Sequence, residues 1–246
     1  MSDTAIIIPC YNEAHRLKSS NFLDFLSEYK GFSLYFIDDG STDSTLSLLK
    51  DLKSKNEDKI TVYRIEKNGG KGEAVRTGMM LAYETGQYAQ IGFLDADLST
   101  PLSEFVSLTS FLIQTHKKAV FGSRLKIGGT RIDRSPFRHI VGRFFATLIS
   151  WTIKIPFYDT QCGAKVFESI TAAKVCQKPF VSRWLFDVEI ILRLKKIWGE
   201  AIFKYLHEFP LGEWTQVDGS KISFLDGVKV PFELRKIRKN ENNPEI

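Results

Sequence analysis

The sequence predicts an α/β fold, a mostly parallel twisted sheet flanked by helices. Two patterns predict it: short β-branched runs alternate with stretches of helical apolar spacing through the first half of the chain, and the runs end in Asp, Asn, Gly or Pro. A length of 246 residues with 43% hydrophobic and 26% charged residues suits one large domain and excludes a disordered or low-complexity chain.

Ala5-Ile6-Ile7-Ile8 reads as a buried strand stopping at Pro9. Asn12 to Tyr29 then spaces Leu17, Phe22, Leu26 and Tyr29 as on a helix, with Gly31 as its stop. Leu34 to Ile37 is the second expected strand, and Thr42 or Asp43 is a cap for a helix carrying Leu46, Leu49 and Leu52. Ile60 to Ile65 and Glu73 to Glu84 continue the alternation as strand and helix. Ile91 to Leu94 is the fourth expected strand, Pro101 opens a helix to about Thr115, and Lys118 to Gly122 is the fifth strand. The second half is less regular. Residues 124–136, rich in Gly and Arg, read as a mobile loop, Phe137 to Ile153 as a helix, and Ser182 as the cap of a helix reaching about Trp198. Phe224 to Lys239 mixes apolar residues with Lys and Arg. The expected organisation is one domain over residues 1–220 and a basic amphipathic extension over 221–246.

Lys and Arg number 34 against 29 Asp and Glu, a net +5 that is too small to indicate a nucleic-acid binder unless clustered. Cys10, Cys162 and Cys176 have no CxxC spacing, so neither a zinc knuckle nor a disulfide framework is indicated, and a reducing compartment fits. No signal-peptide pattern opens the chain, and no uncharged apolar run reaches the ~18–20 residues of a spanning helix. The expectation is a cytoplasmic protein, peripheral at the cytoplasmic face of a membrane.

Three chemistry-bearing segments follow predicted strand ends, where open parallel sheets bind ligands. They are Asp38-Asp39-Gly40-Ser41, Asn68-Gly69-Gly70-Lys71-Gly72 and Asp95-Ala96-Asp97. The glycine-rich segment is not a P-loop, because Gly72 stands where Ser or Thr is needed, and the first strand lacks a dinucleotide fingerprint. It offers a close backbone approach with a lysine in reach. Asp95 and Asp97, one residue apart past an apolar strand, suit a hard divalent cation, Mg²⁺ or Mn²⁺, shared with substrate phosphates. The four histidines, His15, His116, His139 and His207, show no ligand spacing.

These segments, together with Ile6-Ile7-Ile8-Pro9-Cys10-Tyr11-Asn12-Glu13, resemble the family 2 glycosyltransferases of the GT-A fold in order and spacing. Tyr158-Asp159-Thr160-Gln161-Cys162-Gly163-Ala164-Lys165, Arg183 to Glu189 and Trp214 to Lys221 are similar to the polyprenyl-phosphate glycosyltransferases, among them the dolichyl-phosphate β-glucosyltransferases. The resemblance implies an inverting transfer of a hexose, glucose from UDP-glucose or alternatively mannose from GDP-mannose, to a dolichyl or undecaprenyl phosphate. It implies nucleotide contacts from Pro9, Tyr11, Glu13, Asp39, Lys71 and Asp95, and a metal held by Asp95 and Asp97. It further implies acceptor contacts from Arg124, Arg131 and Gln161, with Asp97 and Asp159 as catalytic residues and Asp159 in the position of a base. Ala164 departs from the aromatic residue expected at its place.

Residues 131–154 hold Arg131, Arg134, Arg138, Arg143 and Lys154 against Asp133 alone, between many aromatic and aliphatic residues. That pattern describes a helix at a membrane interface, and a membrane-anchored partner protein is a further expectation; nucleic acid is not. A haloacid-dehalogenase-like phosphohydrolase is the rival enzyme, since Asp95-Ala96-Asp97-Leu98-Ser99 mimics its nucleophile motif. That fold needs the motif on its first strand and a later Gly-Asp pair, which is not found. A non-catalytic sugar-nucleotide or lipid-binding protein is the third reading.

Overall fold

A computed structural model describes residues 3–133, 147, 149–150, 155–217 and 224–241, with side chains of the last segment described from residue 230 to 240. Seven strands form the main sheet. β1 (Thr4–Cys10), β2 (Phe32–Asp38), β3 (Ile60–Arg64), β4 (Gln90–Leu94), β5 (Ala119–Ser123), β7 (Ala164–Glu168) and β8 (Leu206–Pro210) lie in the order β3-β2-β1-β4-β7-β5-β8. Every pairing is parallel except those of β7, which runs antiparallel to both β4 and β5. β6 (Arg131–Asp133) and β9 (Glu213–Thr215) pair separately as a small parallel ribbon.

The side-chain alternation of β1 shows why the sheet is covered on both faces. Ile6 and Ile8 pack with Phe22, Phe25 and Leu26 of α1 (Ser19–Glu28), Leu49 and Leu52 of α2 (Thr45–Ser54), and Phe105 and Leu108 of α4 (Leu102–Thr115). Ala5 and Ile7 join the opposite cluster, built on Val75 and Met79 of α3 (Lys71–Glu84), Val175 of α5 (Ser169–Cys176) and Ile190 and Leu194 of α6 (Phe186–Trp198). A strand buried on both faces reads as an unbroken apolar run, which is the pattern seen at Ile6-Ile7-Ile8. Beyond α6, a short helix α7 (Ile202–Tyr205) leads into β8, and α8 (Phe224–Glu241) closes the described chain. Val230, Leu234 and Ile237 of α8 are buried in the α3 side of the core.

Several boundaries differ from the sequence expectation. The first helix begins at Ser19 and not near Asn12, because residues 12–17 serve a turn. Arg16 and Leu17 donate backbone N–H groups to the Glu13 carbonyl, and Asn12 sits at φ 51° to meet the β2 loop. Asp43 does serve the second helix, its Oδ1 accepting from Thr45 N at 2.9 Å. Ser182 works one turn early: its Oγ accepts from Leu185 N at 3.0 Å, and the helix starts at Phe186. Residues 131–133 form β6 within the expected loop. β7, β8 and β9 had no counterpart in the sequence reading. The expected helix over 137–153 falls almost wholly outside the described residues, as does the expected boundary at 220/221.

Candidate active site

The sheet order places β2 on one side of β1 and β4 on the other, so the chain reverses its winding at the β1/β4 junction, where open α/β sheets leave a crevice. Antiparallel β7 brings its N-terminal end to that same edge, with Ala164 opposite Leu94. The loop before β7 therefore meets the loops after β1, β4 and β5.

Tyr11, 37% exposed, stands at the end of β1. Around it the loops are cross-tied. Asn12 donates its N–H to Ser41 Oγ at 3.0 Å and accepts from Thr42 N at 2.9 Å, while Glu13 forks onto Arg16 at 2.6 and 2.7 Å. Pro9 lies half-buried in β1, paired with Ile37. Asp39 is buried, its two carboxylate oxygens accepting from Gly69 N and Gly70 N, each at 2.8 Å. Burial pushes the Asp39 carboxyl pKa up against the opposing pull of those two N–H groups. Gly70 adopts φ +93°, and a Cβ there would strike the Arg183 side chain, which covers the loop and donates to Asn68. The glycine-rich loop is thus clamped from below by Asp39 and from above by Arg183.

Lys71, the first residue of α3, sends its ammonium to Asp95 Oδ1 at 2.6 Å, one-third exposed on both sides. Burial draws the Lys71 pKa down, but Asp95 and then Asp187 outweigh it and raise it above the ordinary lysine value. Asp97 closes a turn by accepting from Ser99 N at 3.0 Å. Asp95 donates its own N–H to the Gly163 carbonyl at 3.1 Å, and a Cβ on Gly163 would overlap the Asp95 carboxylate.

A second charged centre lies one loop away. Arg124, immediately past β5, grips Asp159 through Nε to Oδ2 at 2.6 Å and Nη2 to Oδ1 at 2.7 Å, and its N–H reaches the same carboxylate at 3.0 Å. The guanidinium also lies 5.4 Å from the centroid of the Trp214 ring. Burial would raise the Asp159 pKa, yet Arg124 prevails and brings it to about 2. Glu208 of β8 holds the segment from behind, accepting from Tyr158 N at 2.9 Å and Asp159 N at 2.5 Å. Gln161 is half-buried and approaches Thr160 Oγ1 at 3.5 Å, and Arg131 is exposed on β6 opposite Glu213. Sequence reasoning quoted Lys165, Arg183 and Trp214 within motifs but gave them no role here, and it missed Glu208. A charge between apolar neighbours, Lys165 between Ala164 and Val166, was the available signal for one of them.

No group of three or more His, Cys, Asp or Glu arranged for a metal occurs among the described residues. The donor set at Asp95 and Asp97 is instead two carboxylates, which fits a hard cation whose other ligands come from a phosphate-bearing substrate.

Such a crevice is where α/β proteins that bind nucleotides hold them, and that is the class fold and site define. The sequence matches the profile of Glycosyl transferase family 2 over residues 5–170, and the chain belongs to that family. It is similar to the dolichyl-phosphate beta-glucosyltransferase of Saccharomyces cerevisiae, 32% identical over 257 residues covering 95% of this chain and 73% of the relative. The Drosophila melanogaster protein of the same description is 31% identical over 241 residues, covering 90% and 69%. Among solved structures, glucosyl-3-phosphoglycerate synthase from Mycobacterium tuberculosis, in complex with Mn²⁺, uridine-diphosphate and phosphoglyceric acid, superposes with a TM-score of 0.68 at 17% identity, covering 96% of this chain and 78% of that one. That likeness establishes a GT-A fold.

Proposed function

We propose that this glycosyltransferase moves glucose from UDP-glucose to a polyprenyl phosphate, with inversion at the anomeric carbon. The observation that carries the reading is the meeting of two charged centres on one sheet edge: Lys71 with Asp95, and Arg124 with Asp159. The first suits a leaving diphosphate and the second an incoming phosphate. The dolichyl-phosphate beta-glucosyltransferases similar over nearly the whole chain support the same donor sugar and acceptor class.

In this reading Tyr11 stacks on the base, with Pro9, Glu13 and Asp39 shaping the pocket for base and ribose. Lys71 turns from Asp95 to the diphosphate as the donor enters. Asp95 and Asp97 would hold Mg²⁺ or Mn²⁺, which supplies charge neutralisation on the departing nucleotide. Arg124, with Arg131 and Gln161 on the acceptor side, brings the lipid phosphate to the anomeric carbon. The carbon–oxygen bond to the diphosphate breaks as the bond to the acceptor oxygen forms. The acceptor's second pKa is near 6, so most of it is ionised at neutral pH and little proton abstraction is required. Asp159, its oxygens engaged by Arg124, aims that guanidinium and borders the sugar.

Thermal denaturation tests the donor site: UDP-glucose should raise the melting temperature with Mg²⁺ or Mn²⁺ present and not without, and a simple phosphate ester should do neither. Transfer from UDP-glucose and from GDP-mannose to a short polyprenyl phosphate then decides the sugar. Preference for GDP-mannose would replace the glucose assignment, and phosphate-ester hydrolysis without transfer would overturn the reading.

A further inference from the structure

Beneath the Lys71–Asp95 contact lies a second ion pair that substrate binding alone does not call for. Lys165, in the middle of β7, is fully buried. Its ammonium donates to Asp187 Oδ1 at 2.5 Å and to the Cys162 carbonyl at 2.6 Å, with the rings of Phe93 and Phe121 centred 5.3 and 5.1 Å away. Asp187 is buried on the first turn of α6. Its neighbour Phe186 lies against Gly72, and the Phe186 ring centre is 5.8 Å from the Lys71 ammonium. Cys162 precedes Gly163, the residue on which the Asp95 carboxylate rests.

A buried ion pair is weak evidence for stability, because desolvation offsets most of the attraction and an apolar pair of similar size often serves as well. Its placement is the informative part. One end fixes the backbone under Asp95, and the other adds a negative charge on the Lys71 side. We propose that Lys165 and Asp187 form a positioning pair for the donor diphosphate, setting where Asp95 and Lys71 point. The inference rests on the donor-site reading above. When Lys71 leaves Asp95 for the diphosphate, Asp187 remains as the fixed anion beside it, and Cys162 held by Lys165 keeps the Gly163 platform in place.

The test compares UDP with uridine by calorimetry in the presence of Mn²⁺, for the wild type, Asp187→Asn and the double variant Lys165→Met/Asp187→Leu. The double variant removes both charges and leaves no buried charge unpaired, which guards against loss of folding. Expected is a loss of about tenfold or more in UDP affinity, the scale of an outer-shell deletion, in both variants. Uridine binding stays within about twofold, and KM for UDP-glucose rises more than kcat falls. A folded double variant with the wild-type UDP-to-uridine affinity ratio would overturn the pair's role while leaving the donor site intact. A wild type that binds no UDP would overturn the donor-site reading and this inference with it. If both single and double variants lose uridine as strongly as UDP, the pair is a packing element and the proposal fails.

Discussion

At the scale of single residues, the site is governed by how closely a few atoms approach. Gly163 has no room for a side chain because the Asp95 carboxylate occupies that space. Gly163→Ala should therefore displace Asp95 and weaken UDP binding with Mn²⁺, while Gly31→Ala, where a Cβ meets nothing within 4 Å, should leave it unchanged. Calorimetry on the two variants checks the contrast. Asp159 makes a prediction about pH. Its folded pKa of about 2 lies below the ordinary carboxylate value of roughly 3.9. Its ion pair thus contributes stability that is complete above the unfolded value and lost as pH falls through about 2. The group does not titrate where the enzyme is assayed, so an acid limb near pH 6 belongs to the acceptor phosphate. Asp159→Asn should lower kcat less than Asp95→Asn or Asp97→Asn and leave the midpoint of that limb in place; a shifted midpoint would restore Asp159 as a base. Much of this site was legible as collinear motifs, since Tyr11, Asp39, Asp95 and Arg124 each sit just past a strand, Lys71 opens α3 and Asp159 lies in the segment before β7. Asp187 was legible as an acidic residue near a helix start that could cap it or reach the site, but its contact with Lys165 was not, because that contact exists only once β7 is laid antiparallel beside β4.

At the scale of elements, the readable part of the fold was the part with local periodicity. The strands up to Ser123 and the helices between them announce themselves by apolar spacing bounded by Gly, Pro and Asp. β7 did not, because the charge at Lys165 interrupts a five-residue pattern and is accommodated by Asp187, the Cys162 carbonyl and two aromatic rings. β8 and β9 carry too few apolar residues to show a period, and β9 depends on pairing with β6. α8 shows the converse case. Read along the chain it is a basic stretch broken by Pro231, yet its Val230, Leu234 and Ile237 insert among core residues from the sheet's α3 side. Leu234 is 3% exposed, so Leu234→Ala should cost roughly 2–5 kcal/mol of folding stability in denaturant unfolding. Phe232, on the outward side at 74% exposure, should tolerate Phe232→Ser within about 0.5 kcal/mol. Equal effects would mean that α8 is not docked as described.

At the scale of the whole molecule, a polar catalytic crevice has to meet a substrate whose other end is a lipid. Among the described residues no helix is long and apolar enough to cross a membrane. We propose that the means of approach lies in the distribution of charge. The net +5 is uneven: residues 131–154 carry five basic side chains against one acidic, interleaved with apolar ones. α8 presents Arg235, Lys236, Arg238 and Lys239 outward beside exposed Phe232. Attraction of basic residues to an anionic leaflet is worth about 1 kcal/mol each near the surface. It decays within about 8 Å at physiological salt and within about 3 Å at 1 M. The expected outcome is co-sedimentation with phosphatidylserine-containing vesicles at low ionic strength, loss of binding near 1 M salt, and little binding to neutral vesicles. Reversing Arg235, Lys236, Arg238 and Lys239 to Glu should weaken vesicle binding without changing transfer to a short, water-soluble acceptor, because all four side chains are exposed and none is part of the core. Salt-independent binding, or equal binding to neutral lipid, would locate the attraction in apolar surface instead of charge.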